Sequence, residues 1–442
     1  MNTEALQYEL KAHLDAILPS DVAYRVFLNT ESSSFIRFNH AQVRQPGSVE
    51  QAHSTIEVSQ GQRHFKCHIS LSSSTDENRV RLERALKPQL ELLVDLDPDP
   101  HFLTKTEVDT ITYQESHDAT SAQETVQDIL RASTDLDLVG IYASGKVGRS
   151  YFDSLGSDLR HEAERSHFDF SVYAHHDKAV KCSVSGDTWN FQKFESALTF
   201  AKSQLPYLHL EARKIEPGKY RCYLAPSAVR SVLSLLSWSS FSEKAHQTGL
   251  SPLKELKTGE SQLSPKVNLM EAPALLKGPR FNETGFVSPE ETVLIKDGRY
   301  ASSLVSPRSG KEFGLAHNGA SPSESPSYLS MEAGDIPTDQ ILKHLGTGVF
   351  ISDLWYLNFS DPQVCRMTGM TRFASLWVED GKIVAPLSVM RFDDSVFDMF
   401  GDNLAGLTAE SEVFHEAHTY GSRNTSAMKV PGALIDGFTF TL

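Results

Sequence analysis

The chain has 442 residues, of which 40% are apolar and 22% charged, with a formal charge of −15. That length has room for two or three domains, and the composition is that of an ordinary globular protein, which excludes a disordered chain. Phosphate-backbone binding is driven by clustered Lys and Arg; the acidic balance and the lack of any dense basic run therefore exclude a nucleic-acid role.

The first element is a helix, because Leu6, Leu10, Leu14, Ile17 and Leu18 recur every three or four residues. Strands follow: Ile56 and Val58 alternate with polar neighbours, and after Gln60-Gly61 so do Phe65, Cys67, Ile69 and Leu71. Period two on both sides of a glycine turn predicts a hairpin with one face buried. Asp76–Val94 carries Val80, Leu82, Leu86, Leu90 and Leu93 near one stripe and predicts a long helix, ended by the prolines at 98 and 100. A second round of the same order comes next. Ser121–Arg131 is a short helix; Leu136–Tyr142 and Val147–Phe152 flank a turn at Ser144-Gly145. Phe168–Tyr173 and Val180–Val184 flank His175-His176-Asp177, and Phe191–Leu205 is an amphipathic helix.

From about Glu211 the texture changes to one helix over Pro226–Phe241 and then short strands broken by Gly, Pro and Asp. Asp297-Gly298 and Asp380-Gly381 each separate two strand-like runs, the pattern of a type I′ hairpin turn. Ala320–Ser327, rich in Pro and Ser, reads as an exposed, mobile loop. The expectation is an α+β protein of two domains: helix and antiparallel-sheet layers over residues 1–210, and a mainly antiparallel β domain over 211–442.

The most apolar stretch, Val229–Phe241, is interrupted by serines and too short to span a bilayer. Met1–Leu6 shows no basic leader ahead of an apolar run. Cys67, Cys182, Cys222 and Cys365 lack CxxC spacing, as reduced core thiols do. A cytoplasmic protein is expected, with no membrane partner.

Several motifs occur in an order that carries more weight than any one of them. Ile215–Tyr220 leads into Ser227–Ser242; then come Thr292–Gly298, Met331–Asp335, Gly346–Phe350, and Leu376–Ile383 with Pro386. This set resembles the TldD/PmbA family of metallopeptidases over roughly residues 210–390. The likeness extends more loosely to Ser34–Asn39 and Gln45–Gly47. The resemblance implies two-domain subunits that pair, a zinc-bearing TldD subunit with a TldE (PmbA) subunit that has no metal site, to cleave unfolded proteins or peptides. In the catalytic branch the helix after such a segment carries HExxxH, and those ligand and base positions fall near Ser237, Trp238 and Ser242 here. Serine hydroxyls are poor zinc ligands and an indole is no base. The family's third ligand is a cysteine near the C-terminus; the comparable region, Tyr420–Arg423, has none. The chain is therefore expected to be a TldE-like subunit with no catalytic residue, metal or cofactor of its own.

The competing candidates are histidines. His415 and His418, three apart, would share a face on a helix and could form a rearranged metal site, but on opposite faces if the segment is a strand. His246 is expected to cap or face solvent. His161-Glu162-Ala163-Glu164-Arg165 reads as a solvated charged turn, and His175-His176-Asp177 as a hairpin tip. No GxSxG elbow or phosphate-binding loop occurs. Leu233 and Leu236 read as core rather than partner surface. By resemblance, an extended peptide would add to a sheet edge, with Gly346–Phe350 a candidate. The expected function is that of a non-catalytic subunit of a TldD-type zinc metalloprotease complex, partnered by a TldD-like subunit or by itself. An active metallopeptidase with a rearranged site and a homodimeric peptide-binding scaffold are the alternatives. The gyrase-modulator label of the family draws no support from the acidic charge.

Overall fold

The computed structural model describes residues 2–115 and 121–441. Its first half builds on α1 (Thr3–Ile17), β1 (Ala23–Asn39), β2 (Gln42–Gln60), β3 (Arg63–Leu71), α2 (Thr75–Leu92), β4 (Thr110–Gln114), α3 (Ala122–Ala132), β5 (Asp137–Asp153), β6 (Asp158–His175), β7 (Lys178–Gly186) and α4 (Phe191–Leu208). The strands make one 7-stranded sheet in the order β3-β2-β1-β5-β6-β4, with β7 paired to the far end of β6. Leu6, Leu10 and Leu14 of α1 and Leu82 and Leu86 of α2 bury against Val26, Leu28 and Ile56 of the sheet. Val80 falls off that stripe and is exposed. A capping box closes the start of α3, Ser121 and Glu124 each bonding the other's backbone N–H.

The second half contains β8 (Gly218–Leu224), α5 (Pro226–Leu236), α6 (Glu243–Gln247), α7 (Lys254–Thr258), β9 (Leu269–Glu271), β10 (Thr292–Lys296), β11 (Arg299–Tyr300), α8 (Pro307–Phe313), β12 (Tyr328–Met331), α9 (Ile341–Leu345), β13 (Gly348–Asp361), β14 (Arg366–Glu379), β15 (Lys382–Pro386), β16 (Arg391–Ser395), β17 (Leu404–His415) and β18 (Ala427–Phe440). They form an 11-stranded sheet, in which β8 pairs with both β13 and β18, so that β18-β16-β14-β13-β8 closes into a ring. Asp297 and Gly298, like Asp380 and Gly381, take positive φ between paired strands, as the two hairpin turns require. The fold is α+β with two sheet systems. A shared apolar cluster ties them together: Phe168, Phe170 and Phe194 from the first half meet Tyr223, Phe350, Leu376 and Leu434 from the second. Among the described residues no helix is long and apolar enough to cross a membrane.

In its strands and loops the structure corrects four of the sequence expectations, one of them in part. Ser144-Gly145 is no turn: β5 runs through it, and Gly145, at φ +144°, lets the Ser32 carbonyl of β1 approach so closely that a Cβ would sit 2.0 Å from its oxygen. His161–Arg165 is not a solvated turn but the middle of β6, with both His161 and Arg165 buried. Ala320–Ser327 exposes Pro322, Ser323 and Ser327 as expected, but it buries Glu324, which is 1% exposed and anchors it. Gly348–Phe350 is no free edge either, since Val349 pairs with Cys222 on one side and Trp377 on the other.

Candidate functional site

Helix α5 starts on Pro226, whose fixed φ suits the first helical position, and buries Val229, Val232, Leu233 and Leu236. Leu233 and Leu236 are therefore core. The sequence predicts a helix as far as Phe241, but α5 ends at Leu236, beyond which the chain tightens into turns, the Trp238 N–H bonding the Leu235 carbonyl at 3.3 Å and the Ser242 N–H the Ser239 carbonyl at 3.2 Å. Both the backbone N–H and the hydroxyl of Ser237 donate to the Leu233 carbonyl, at 2.9 Å each. Trp238 lies beyond the helix and is 64% exposed. Ser242 caps the next helix, accepting the Ala245 N–H at 3.1 Å while donating to Glu324 Oε2 at 2.7 Å.

A metal-bearing pair on one helix needs side chains that share a face one turn apart and point at one spot. Here the helix has stopped before the second position, two hydroxyls are spent on caps, and the indole is turned to solvent. These residues do not fit a zinc ion.

What occupies the place is a knot of hydrogen bonds around one carboxylate. Glu324, at φ +52°, accepts from the Ser242 hydroxyl at 2.7 Å, the Lys244 N–H at 2.9 Å and the Ser306 N–H at 2.8 Å. Burial pushes its carboxyl up, but the donors from Lys244, Ser306, Ser242 and Ser309 outweigh it and hold the group below the ordinary range. The loop at 320–327 is thereby fixed against α6 and the start of α8, and Ser325 reaches the Trp238 carbonyl at 3.2 Å.

The candidate histidines do not converge. His415 is the last residue of β17 and His418 lies in the loop that follows, so they share no helical face. Burial and the charge of Arg165 push His415 down to about 4. The His418 backbone N–H bonds the Glu416 carboxylate at 2.9 Å, and its ring lies 5.1 Å from that of exposed Tyr420. His246 neither caps a helix end nor faces solvent: its Nε2 lies 3.1 Å from the Ser240 carbonyl and 3.2 Å from the Ser251 hydroxyl, and burial followed by Lys257 pushes it to about 4. His175 and His176 do sit at the β6–β7 tip, where His176 has φ +45°. Among the described residues no group of three or more His, Cys, Asp or Glu is arranged to hold a metal ion.

The region of the family's third ligand carries an arginine that joins the two halves. The buried Arg423 side chain donates to Ser33 Oγ at 3.1 Å and to the Arg165 carbonyl at 2.7 Å, while its backbone N–H bonds Glu31 at 3.0 Å. Arg165 in turn pairs with Glu115 at 2.7 Å and Asp187 at 3.1 Å and donates to the Lys277 carbonyl at 2.8 Å. Sequence reasoning misses these interface arginines. The signal that marks them is a period of two: Leu159, His161, Ala163, Arg165 and His167 share one face of β6, opposite Phe168 and Phe170.

Residues 217–442 match the family model described as the PmbA/TldA metallopeptidase C-terminal domain. Among solved structures, the chain is similar to TldE from Thermococcus kodakarensis, at 13% identity and a TM-score of 0.78, over 99% of each chain. It is also similar to a protein from Thermotoga maritima named as a candidate modulator of a DNA gyrase, at 14% identity and a TM-score of 0.76, over 99% of this chain and 100% of that one. A Bacteroides thetaiotaomicron protein of the same description follows at 14% identity and 0.74, over 100% of both. At such identities the likeness shows the fold alone. No curated protein matches the sequence.

Proposed function

We propose, since the chain belongs to the PmbA/TldD metallopeptidase family, that it serves as a non-catalytic, TldE-like subunit of a TldD-type zinc metalloprotease complex in the cytoplasm. In this reading the division falls at 210/211, the partner is a catalytic TldD-like subunit or a second copy, and the substrates are unfolded proteins or peptides. One observation carries it: α5 stops at Leu236, so Ser237, Trp238 and Ser242 cannot share a helical face, and the hydroxyls are bound into caps. The His415–His418 alternative draws no support from a strand end followed by a loop.

The chain's own residues then do structural work. The Glu324 knot rigidifies the surface at the end of α5, and Arg423 locks the C-terminal loop to the first sheet. The test is co-expression with an HExxxH-bearing relative from the same genome. Peptide cleavage that needs both chains, survives simultaneous loss of His415 and His418, and is lost when the partner's HExxxH is removed is expected. Zinc-dependent cleavage by this chain alone would overturn the reading.

A further inference from the structure

Between the first sheet and the C-terminal loops runs a cleft of about 200 Å³, lined among others by Phe27, Arg149, Glu271, Phe281, Tyr328 and Thr425. Arg149 stands out on it. Only 9% exposed, it donates to two backbone carbonyls, Gly148 at 2.9 Å and Arg423 at 3.0 Å. Among the described residues no carboxylate lies within ion-pair distance of it; Glu31 acts on it from farther off and has its own bonds, from Gln51 at 2.7 Å and the Arg423 N–H at 3.0 Å. Arg165 and Lys277 are matched differently, both contacting Glu115 and Asp187, while buried Arg423, whose guanidinium bonds only the Ser33 hydroxyl and the Arg165 carbonyl among the described residues, does not line the cleft. A buried charge without a contacting counter-ion is costly, so a fold that keeps one beside an open cleft is built to receive an anion.

The rest of the lining says which anion. Phe27 and Phe281 offer apolar walls, and Tyr328 is tied by its hydroxyl to Thr425 at 2.6 Å. Glu271 accepts the Ser327 and Tyr328 N–H groups, and burial pushes its carboxyl up to about 7. Glu283 lines the same cleft. The two carboxyl groups oppose a phosphate dianion more strongly than a singly charged carboxylate, and a single guanidinium matches the two oxygens of one carboxylate.

We propose that this cleft binds organic carboxylates, Arg149 receiving the carboxylate and the walls at Phe27 and Phe281 an apolar group beside it. A peptide C-terminus and a free small acid share that chemistry. The inference rests on the cleft's own residues and stands whether or not a partner subunit exists.

Calorimetric titration of the full-length chain with alanyl-alanyl-phenylalanine, its C-terminal amide and 3-phenylpropionate tests it. The free acid is expected to bind about ten-fold or more tightly than the amide, the scale of one charge-assisted hydrogen bond. Tripeptide binding well above that of 3-phenylpropionate identifies a peptide terminus as the source; equal binding identifies a small acid. R149M should erase the preference for acid over amide. Equal affinity of wild type for acid and amide, or no binding of either acid at millimolar concentration, overturns the proposal. The acid–amide comparison is made on wild type alone, so it decides the matter even if R149M folds poorly.

Discussion

Replacing Glu324 by alanine is the sharpest probe of the knot at the end of α5. The carboxylate accepts three hydrogen bonds at 2.7, 2.9 and 2.8 Å from groups that no longer have a partner once it is gone. Hydrogen bonds to a charged group contribute about 1.5–3 kcal/mol each, and the three share one acceptor and so do not add fully; a loss of about 3–5 kcal/mol is expected for E324A. Glycine at the same place loses the same acceptor but relieves the left-handed backbone at φ +52°, so E324G should be less damaging than E324A by about 1 kcal/mol. The assay is urea unfolding at pH 7, joined to hydrogen exchange at the Lys244 and Ser306 amides. Because the folded carboxyl lies below its ordinary value, its contribution is present above about pH 4.3 and fades as pH falls through the lower folded value. The wild-type advantage over E324A should therefore narrow in strong acid. A loss under about 1 kcal/mol at pH 7, with no faster exchange at either amide, would refute the claim that this carboxylate fixes the loop.

Gly145→Ala should cost about 3 kcal/mol or more in the same unfolding assay, because the new Cβ meets the Ser32 carbonyl of the neighbouring strand rather than a yielding side chain. Burial, aided by Arg165, Arg423, Lys257 and Arg165 in turn, pushes His161, His167, His246 and His415 to about 4, 3, 4 and 4. The unfolded chain takes up those protons near pH 6.5, so stability is full above that and falls toward pH 4, by up to about 1.4 kcal/mol per histidine per pH unit; a flat profile of urea midpoints from pH 7 to 5 would contradict it. Leu233→Ala, in the core beneath α5, should cost about 3–5 kcal/mol, against about 0.5 kcal/mol or less for exposed His418→Ala. Zinc content by elemental analysis should be unchanged in His415→Ala and His418→Ala.

The elements that sequence makes legible are those whose signal is local. Leu6, Leu10 and Leu14 mark a helix by spacing alone, and Asp297-Gly298 and Asp380-Gly381 mark hairpins by backbone chemistry alone; all are present. The helix at Pro226 begins where its sequence predicts, yet its end depends on Ser237 and Ser242 finding backbone and Glu324 partners, and Glu324 is 82 residues away from Ser242. Gly145 has the look of a turn because a glycine at positive φ usually is one. Here it serves a close approach between two strands, which no window of sequence around residue 145 contains.

Charge is where sequence and structure part furthest. The general rule that charged residues stay wet places His161 and Arg165 in solvent. That rule fails where residues distant in the sequence supply the solvation: Arg165 donates to Glu115 and Asp187 of its own half and to the Lys277 carbonyl of the other, and Arg423 donates to Ser33 and the Arg165 carbonyl. All five partners lie at least 22 residues from the arginine they bond, and three of the contacts, to the Lys277 carbonyl, Ser33 and the Arg165 carbonyl, join the first sheet to the second half. An interface built this way is specific, because a displaced partner leaves a buried guanidinium unsatisfied. It is also where an arginine with only carbonyl partners can persist. Among the described residues neither Arg149 nor Arg423 has a carboxylate in contact with its guanidinium, and of the two it is Arg149 that lines the open cleft.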